Sequence, residues 1–235
     1  MTETDISYEF TVDATSLFDA GRDRRMPVAY YRPKIDQARK QKLVIFNHGY
    51  SGNKDERDYL AYSFLCDYLA SKGFLVVSIQ HDLENDEPLA MIGNLQETRI
   101  PNWEKGVQNI LFVLNDFKRS HMNIDYKHVS LIGHSNGGDI AMLFAHTYPE
   151  LMDKIISLDN RRMPFPRTKH PRIYSLRSSD QIADAGVIPT EEEQKKFRIK
   201  VVKSANITHN AMDESANEVQ RNAINNYLLD CITQK

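Results

Sequence analysis

The chain has 235 residues, of which 41% are hydrophobic and 26% charged, and its 30 Lys and Arg nearly balance its 32 Asp and Glu. This length is sufficient for the core of one large α/β domain. The balanced charge argues against a nucleic-acid partner. No apolar run approaches the roughly 20 residues of a membrane span, so no spanning segment is expected.

The two cysteines and the first residues bear on the cellular compartment. Cys66 and Cys231 both lie in helix-like apolar patterns, which predicts buried free thiols and a reducing environment. Residues 1–5 lack the basic start and apolar segment of a signal peptide. We therefore expect a cytoplasmic protein.

Apolar runs along the chain predict about eight strands and at least five helices. Residues 6–12 and 28–31 predict an opening antiparallel hairpin. Further strands are predicted at residues 43–46, 74–79, 129–132, 155–159, 172–176 and 199–202. Apolar residues at helical spacing predict helices near residues 60–69, 103–117, 136–146, 190–197 and 224–231. This alternation predicts a mostly parallel sheet with helices on both faces, and because it never restarts, residues 1–235 are expected to form a single domain.

One stretch has the pattern of a nucleophile elbow. Gly133-His134-Ser135-Asn136-Gly137 follows an apolar strand-like run and precedes a helix-like segment. In such an elbow the serine stands at the apex of a sharp turn, and the glycines allow the strand and helix to approach closely. Ser135 is therefore the candidate nucleophile.

A serine nucleophile needs a base and a carboxylate that orients the base. His209 is the only histidine beyond residue 170, and it follows the last predicted strand, so it is the candidate base. Asp180, after the strand preceding the last one, is the favoured carboxylate. Asp159 closes the strand before that and is an alternative, as is Asp184. Because two arginines closely follow Asp159, we expect an ion pair there.

Two backbone N–H groups are candidates for an oxyanion hole, which stabilises the negative charge that develops on the reacting carbonyl oxygen. One belongs to Asn136, directly after the serine. The other belongs to Tyr50, in the loop after the strand at residues 43–46. His48 is expected to brace this loop rather than to act as a base.

These motifs resemble those of serine hydrolases of the α/β-hydrolase superfamily. The stretches that carry the resemblance are His48-Gly49-Tyr50, Gly133-His134-Ser135-Asn136-Gly137-Gly138, Ser179-Asp180-Gln181-Ile182-Ala183 and Thr208-His209. The short form is similar to dienelactone hydrolases, cutinase-like polyester hydrolases and platelet-activating-factor acetylhydrolases. The cutinase-like enzymes carry the acid where Asp180 falls, whereas the acetylhydrolases carry it where Asp159 falls. The resemblance implies an α/β-hydrolase fold of about eight strands, and the short segment at residues 160–171 leaves no room for a helical cap.

The predicted function is a serine esterase that cleaves a small-molecule carboxylic ester through an acyl-enzyme on Ser135. Alternatives are a thioesterase or small-peptide hydrolase with the same triad, or a hydrolase-fold binding protein without turnover. No cofactor or metal is expected, because nucleotide-binding glycine motifs and metal-ligand spacings are lacking. In the long loop at residues 80–101, Met91, Ile92 and Leu95 are expected either to form an apolar substrate wall or to pack on the domain, and Trp103 is expected in the core.

Overall fold

Eight strands form one sheet in this computed structural model, which describes residues 7–36, 38–54, 57–120 and 123–234. The strands are β1 (Phe10–Asp19), β2 (Arg24–Pro33), β3 (Lys42–Asn47), β4 (Phe74–Ile79), β5 (Ser130–His134), β6 (Lys154–Leu158), β7 (Arg172–Arg177) and β8 (Lys200–Lys203). Their order across the sheet is β1-β2-β4-β3-β5-β6-β7-β8.

The six strands from β4 to β8 in this order run parallel, and β2 pairs antiparallel with both β1 and β4. The carboxyl ends of β3, β5, β6 and β7 therefore meet at one edge of the sheet. This is the edge where open parallel sheets place their functional residues.

The described residues form six α-helices beside the sheet: α1 (Ser63–Ser71), α2 (Leu95–Thr98), α3 (Ile100–Arg119), α4 (Asn136–Thr147), α5 (Glu191–Phe197) and α6 (Glu218–Thr233). Successive residues of β3 point to opposite faces, so Leu43 and Ile45 join one apolar cluster while Val44 and Phe46 join the other. The first cluster includes the inner faces of α3 and α4, and the second those of α1 and α6. The predicted sheet with helices on both faces is confirmed.

The opening hairpin differs from the prediction in its extent. Its first strand spans Phe10–Asp19 and not residues 6–12, and residue 6 lies outside the described residues. Most of β1 is exposed, because it is an edge strand paired on one side only. The strand thus continues past Val12 into residues that do not alternate between polar and apolar, because an exposed edge strand does not need that alternation.

Two kinds of helix are lacking among the described residues. Residues 159–171, between β6 and β7, contain no helix, as predicted for an uncapped chain. In the part of the chain that the structure describes, no helix has both the length and the apolarity to cross a bilayer.

Candidate active site

Ser135 stands in a strained turn between β5 and α4. Its backbone φ is 51° and ψ is −118°, values that a non-glycine residue seldom adopts. A Cβ at Gly133 would lie 2.2 Å from the carbonyl oxygen of Gly137, and one at Gly137 would lie 2.3 Å from that of Asn47. The turn is thus possible only because both flanking residues are glycines, and it raises the hydroxyl above the carboxyl edge of the sheet.

The ring of His209 bridges the serine and a carboxylate. Its Nε2 lies 3.0 Å from Ser135 Oγ, and its Nδ1 lies 2.6 Å from Oδ2 of Asp159. An ionised carboxylate can only accept, so Nδ1 carries the proton and Nε2 accepts from the hydroxyl. The structure therefore brings the predicted nucleophile and the predicted base together, with the carboxylate behind the base.

The prediction that Asp180 orients the imidazole is wrong for this geometry. Asp180 Oδ1 accepts the backbone N–H of His209 at 2.7 Å and does not contact the ring. The ring partner is Asp159, the alternative, which is fully buried directly after β6. Asp180 lies three residues beyond the end of β7, after Ser178 and Ser179, and it contacts the backbone of the histidine but not the imidazole.

Asp159 remains ionised because its partners outweigh its burial. Burial alone would raise the pKa of Asp159, but the hydrogen bond from His209, the guanidinium of Arg177 and the contacts with Ser178 hold that pKa at about 2. The Ser178 N–H donates to Oδ1 at 3.1 Å, and Arg177 Nη2 lies 2.7 Å from the same oxygen. Oδ2 of Asp159 thus contacts the imidazole, and Oδ1 contacts Arg177 and Ser178 at the end of β7.

The expected ion pair of Asp159 exists, but with a different arginine. The two arginines that follow it point elsewhere: Arg161 donates to Gln181 at 2.5 Å, and Arg162 pairs with Asp184 at 2.5 Å. Asp184, the third candidate acid, is therefore engaged away from the imidazole. Chain proximity suggested the wrong partner, because the strand pairing of β6 with β7 places Arg177 beside Asp159 from across the sheet.

The loop after β3 is held by two buried rings, those of His48 and Tyr62. His48 Nε2 accepts the N–H of His81 at 2.8 Å, so its Nδ1 carries the proton that is donated to the Gly49 carbonyl at 2.7 Å. The Tyr62 hydroxyl accepts the N–H of Gly49 at 3.1 Å. These contacts agree with the predicted bracing role of His48, and they hold the peptide that precedes Tyr50.

Of the two predicted oxyanion donors, Asn136 directly follows Ser135, and Tyr50 follows Gly49, where an added Cβ would lie 3.4 Å from Ser135 Cβ. Within the described residues, the backbone N–H groups of Tyr50 and Asn136 have no protein acceptor. The Asn136 side chain is held on both sides, accepting from Trp103 Nε1 at 2.8 Å and donating to Asn102 at 2.9 Å. Trp103 is fully buried, as expected for a core residue, and it also fixes the residue that follows the nucleophile.

His134 links the oxyanion loop to the imidazole of His209. The Tyr62 hydroxyl lies 2.7 Å from His134 Nδ1, and the His134 ring packs on His209 with 4.7 Å between ring centroids. Burial, and next the neighbouring His209 ring, lowers the pKa of His134 to about 3, so its ring is neutral at ordinary pH. Since Tyr62 already accepts from Gly49, its own proton goes to His134 Nδ1.

The long loop after β4 presents apolar side chains to solvent. Met91 is 69% exposed and Ile92 is 85% exposed, whereas Leu95, in α2, is partly buried. Packing of Met91 and Ile92 on the domain is thus not observed. Among the residues that the structure describes, no three His, Cys, Asp or Glu side chains converge as a metal site requires.

A family comparison identifies the chain. The sequence model of the family described as Chlorophyllase matches residues 22–158, more than half of the chain. The chain belongs to the chlorophyllase family. The matched segment runs from the end of the β1–β2 turn through the oxyanion loop and the elbow to the end of β6, one residue before Asp159.

Individual proteins and solved structures also resemble this chain. A Haemophilus influenzae protein named "Putative esterase/lipase" is 27% identical over 146 residues, which cover 62% of this chain and 44% of that protein. The match thus spans less than half the length of this curated relative. The structure titled "Putative Dienelactone Hydrolase", from Klebsiella pneumoniae, has a TM-score of 0.61 and 16% identity, with 97% of this chain and 100% of that chain covered. A ferulic acid esterase from Anaeromyces mucronatus has a TM-score of 0.63 and 11% identity, with 98% and 92% covered. These structures establish the α/β-hydrolase fold.

Sequence reasoning missed several residues around the site of this chlorophyllase-family chain. Tyr62 and Asn102 lie in segments without a motif, and only the folded chain brings them to the elbow. Arg177 could have been found from the sequence, because it directly follows the strand predicted at residues 172–176, where a charged residue is seldom buried without a partner.

Proposed function

We propose that this single-domain chain is a serine hydrolase that cleaves small-molecule carboxylic esters through an acyl-enzyme. The observation that carries the proposal is the continuous contact from Ser135 Oγ through the His209 ring to Asp159, with distances of 3.0 and 2.6 Å. This is the arrangement that converts a weakly nucleophilic hydroxyl into an activated one.

In the first half of the reaction, Ser135 Oγ attacks the acyl carbon while His209 Nε2 takes the hydroxyl proton. The imidazolium that forms is stabilised by the ionised Asp159, which also holds Nδ1 in the protonated tautomer. The carbonyl oxygen becomes negatively charged, and the N–H groups of Tyr50 and Asn136 are the proposed donors to it.

In the second half, the intermediate collapses and the alcohol leaves with the proton from His209 Nε2. Water then enters, is activated by the same nitrogen, attacks the acyl carbon and releases the carboxylic acid from Ser135. The chemistry uses only side chains and backbone groups of this chain, so no cofactor is proposed.

The substrate class follows from the shape of the edge and from the relatives. The described loop at residues 159–171 contains no helix that could cover the serine, and the exposed Met91 and Ile92 are the proposed apolar rim. The name of the matched Haemophilus influenzae relative, an esterase/lipase, supports carboxylic esters as the substrate class. Cys66 and Cys231 are buried and unpaired, which supports the cytoplasm as the proposed location.

The test is turnover of p-nitrophenyl acetate and butyrate by the purified protein and by Ser135→Ala. Wild-type turnover that is lost in Ser135→Ala is the expected result. A parallel panel of an acyl-thioester and an aminoacyl anilide ranks the alternatives by kcat/KM. Ester hydrolysis that persists unchanged in Ser135→Ala would contradict the proposal.

A further inference from the structure

A buried arginine contacts the carboxylate behind the imidazole. Arg177 is the last residue of β7 and is 7% exposed, and its Nη2 lies 2.7 Å from Oδ1 of Asp159, which is 0% exposed. A triad carboxylate needs only the imidazole as its charged partner. Here the same carboxylate faces a full positive charge on its other oxygen.

The contact between Arg177 and Asp159 is an ion pair without a well-aligned hydrogen bond. Nη2 has no hydrogen bond of acceptable geometry within the described residues, although it lies close to Asp159. The directed bond of the guanidinium is made by Nη1, which donates to the carbonyl oxygen of Asn160 at 2.5 Å. Orientation of the carboxylate comes instead from the N–H of Ser178.

Other titratable groups also contact His209. The His134 ring packs on one face but is neutral, and the Asp180 carboxylate accepts the backbone N–H of His209. The guanidinium of Arg161 lies on Gln181, near enough to Arg177 and His134 to lower the pKa of each. Among the described residues, Asp159 is the ionised group that the imidazole contacts, and Arg177 is the cation that contacts Asp159.

We propose that Arg177 is a positioning residue that weakens the hold of Asp159 on the protonated imidazole and thereby extends activity to lower pH. This inference rests on the proposed hydrolase function of the same site. The physical reason is that Asp159 stabilises the imidazolium by its negative charge, whereas a guanidinium on the far oxygen opposes that stabilisation. A protonated imidazole cannot accept the serine proton, so this opposition favours the form that can.

Loss of the Arg177 charge should move the pH dependence of kcat/KM upwards. Removal of the positive charge leaves the Asp159 carboxylate unopposed, so the protonated imidazole is stabilised and the acid limb of kcat/KM moves to higher pH. A neighbouring charge of this kind shifts a titration by about one unit or more. At a fixed pH within the acid limb, a shift of one unit lowers kcat/KM about tenfold.

The experiment compares Arg177→Gln with Arg177→Lys. Glutamine keeps a donor for the Asn160 carbonyl but removes the charge, whereas lysine keeps the charge. The kcat/KM for p-nitrophenyl butyrate is measured from pH 4 to 9, and the His209 ring is titrated by NMR in the Ser135→Ala background. Arg177→Gln is expected to raise both midpoints by about one unit, and Arg177→Lys to leave both within about 0.3 unit of the wild type.

Two outcomes would overturn the inference. One is an Arg177→Gln protein with a lower plateau but an unmoved midpoint, which is what a purely structural role predicts. If Arg177→Gln does not fold, the other is a midpoint that moves by more than about half a unit in Arg177→Lys, where the charge is retained. Because the NMR titration needs no turnover, an absence of esterase activity would refute the proposed function without deciding the role of Arg177.

Discussion

Asp180 contacts His209 through the backbone: its Oδ1 accepts the His209 N–H at 2.7 Å. The loop that carries the imidazole is thus anchored by one aspartate, while a second aspartate binds the ring itself. Burial separates these roles, because Asp159 is fully buried and Asp180 is exposed at the surface.

The two aspartates should respond very differently to amide substitution. Asp159→Asn is expected to lower kcat by roughly 10⁴-fold, because an amide no longer fixes the imidazole tautomer or stabilises its charge. Asp180→Asn retains an oxygen for the His209 N–H and should lower kcat by less than about tenfold. Esterase assays at pH 8 on both variants measure the difference. A larger loss in Asp180→Asn than in Asp159→Asn would contradict this arrangement.

The fold and the elbow that carries Ser135 were predictable from the sequence, but the carboxylate that contacts the His209 ring was not. Buried parallel strands leave uninterrupted apolar runs, and the elbow needs glycines at fixed spacing, so both leave a local pattern. Asp159 and Asp180 both follow strand ends on the same edge, and their distances from the His209 ring depend on how the last loop folds back. That path is set by contacts between distant residues, such as Ser179 N–H with the Ile207 carbonyl, which no local pattern reveals.

The hydroxyl of Tyr62 connects the oxyanion loop with the elbow, so its removal should affect both stability and turnover. Tyr62→Phe leaves the Gly49 N–H and His134 Nδ1 without a partner, at an expected cost of about 1–3 kcal/mol in the free energy of unfolding. We expect kcat to fall about tenfold with little change in KM, since loosening of the loop is milder than loss of a donor.

Tyr31→Phe is the matched control for this substitution. The Tyr31 hydroxyl is also buried but has no hydrogen-bond partner within the described residues. Its removal should leave kcat unchanged and the free energy of unfolding equal or slightly higher. Esterase assays and denaturant unfolding are carried out on both variants. Equal losses of kcat in the two variants would show that the Tyr62 hydrogen bonds do not support turnover.

The buried neutral ring of His134 makes stability depend on pH. Its pKa is about 3 in the folded protein, against an ordinary value of 6.5, so between these values the unfolded chain binds more protons. Stability is therefore lost as pH falls from 6.5 towards 3, by up to about 1.4 kcal/mol per pH unit for this one group. His134→Gln should reduce that slope.

Urea unfolding of the wild type and His134→Gln from pH 4 to 8 measures this effect. Above about pH 7 the difference in the free energy of unfolding between the two proteins should be constant, which provides an internal control. Below pH 6 the difference should change in favour of the variant. Parallel curves over the whole range would mean that His134 is not held neutral by the fold.

The close approach at the elbow predicts a severe effect of a single methyl group. In Gly137→Ala the added Cβ meets the Asn47 carbonyl at 2.3 Å, and backbone on both sides cannot give way easily. We expect a destabilisation of about 3 kcal/mol or more, or failure to fold. In the control Gly21→Ala, the Cβ meets only the Asp19 carboxylate at 3.4 Å, so the thermal midpoint should hardly move. Similar midpoints for the two variants would contradict the tight elbow.

The central claim, that Ser135 is a nucleophile activated by His209 and Asp159, is tested most directly by covalent labelling. The protein is incubated with a fluorophosphonate, and the adduct is quantified by intact mass and located by peptide mapping in the wild type and in Ser135→Ala. The account predicts one adduct per chain, on Ser135, which is absent from Ser135→Ala and forms far more slowly in Asp159→Asn. A wild-type protein that takes up no label, or a label that persists in Ser135→Ala, would contradict it.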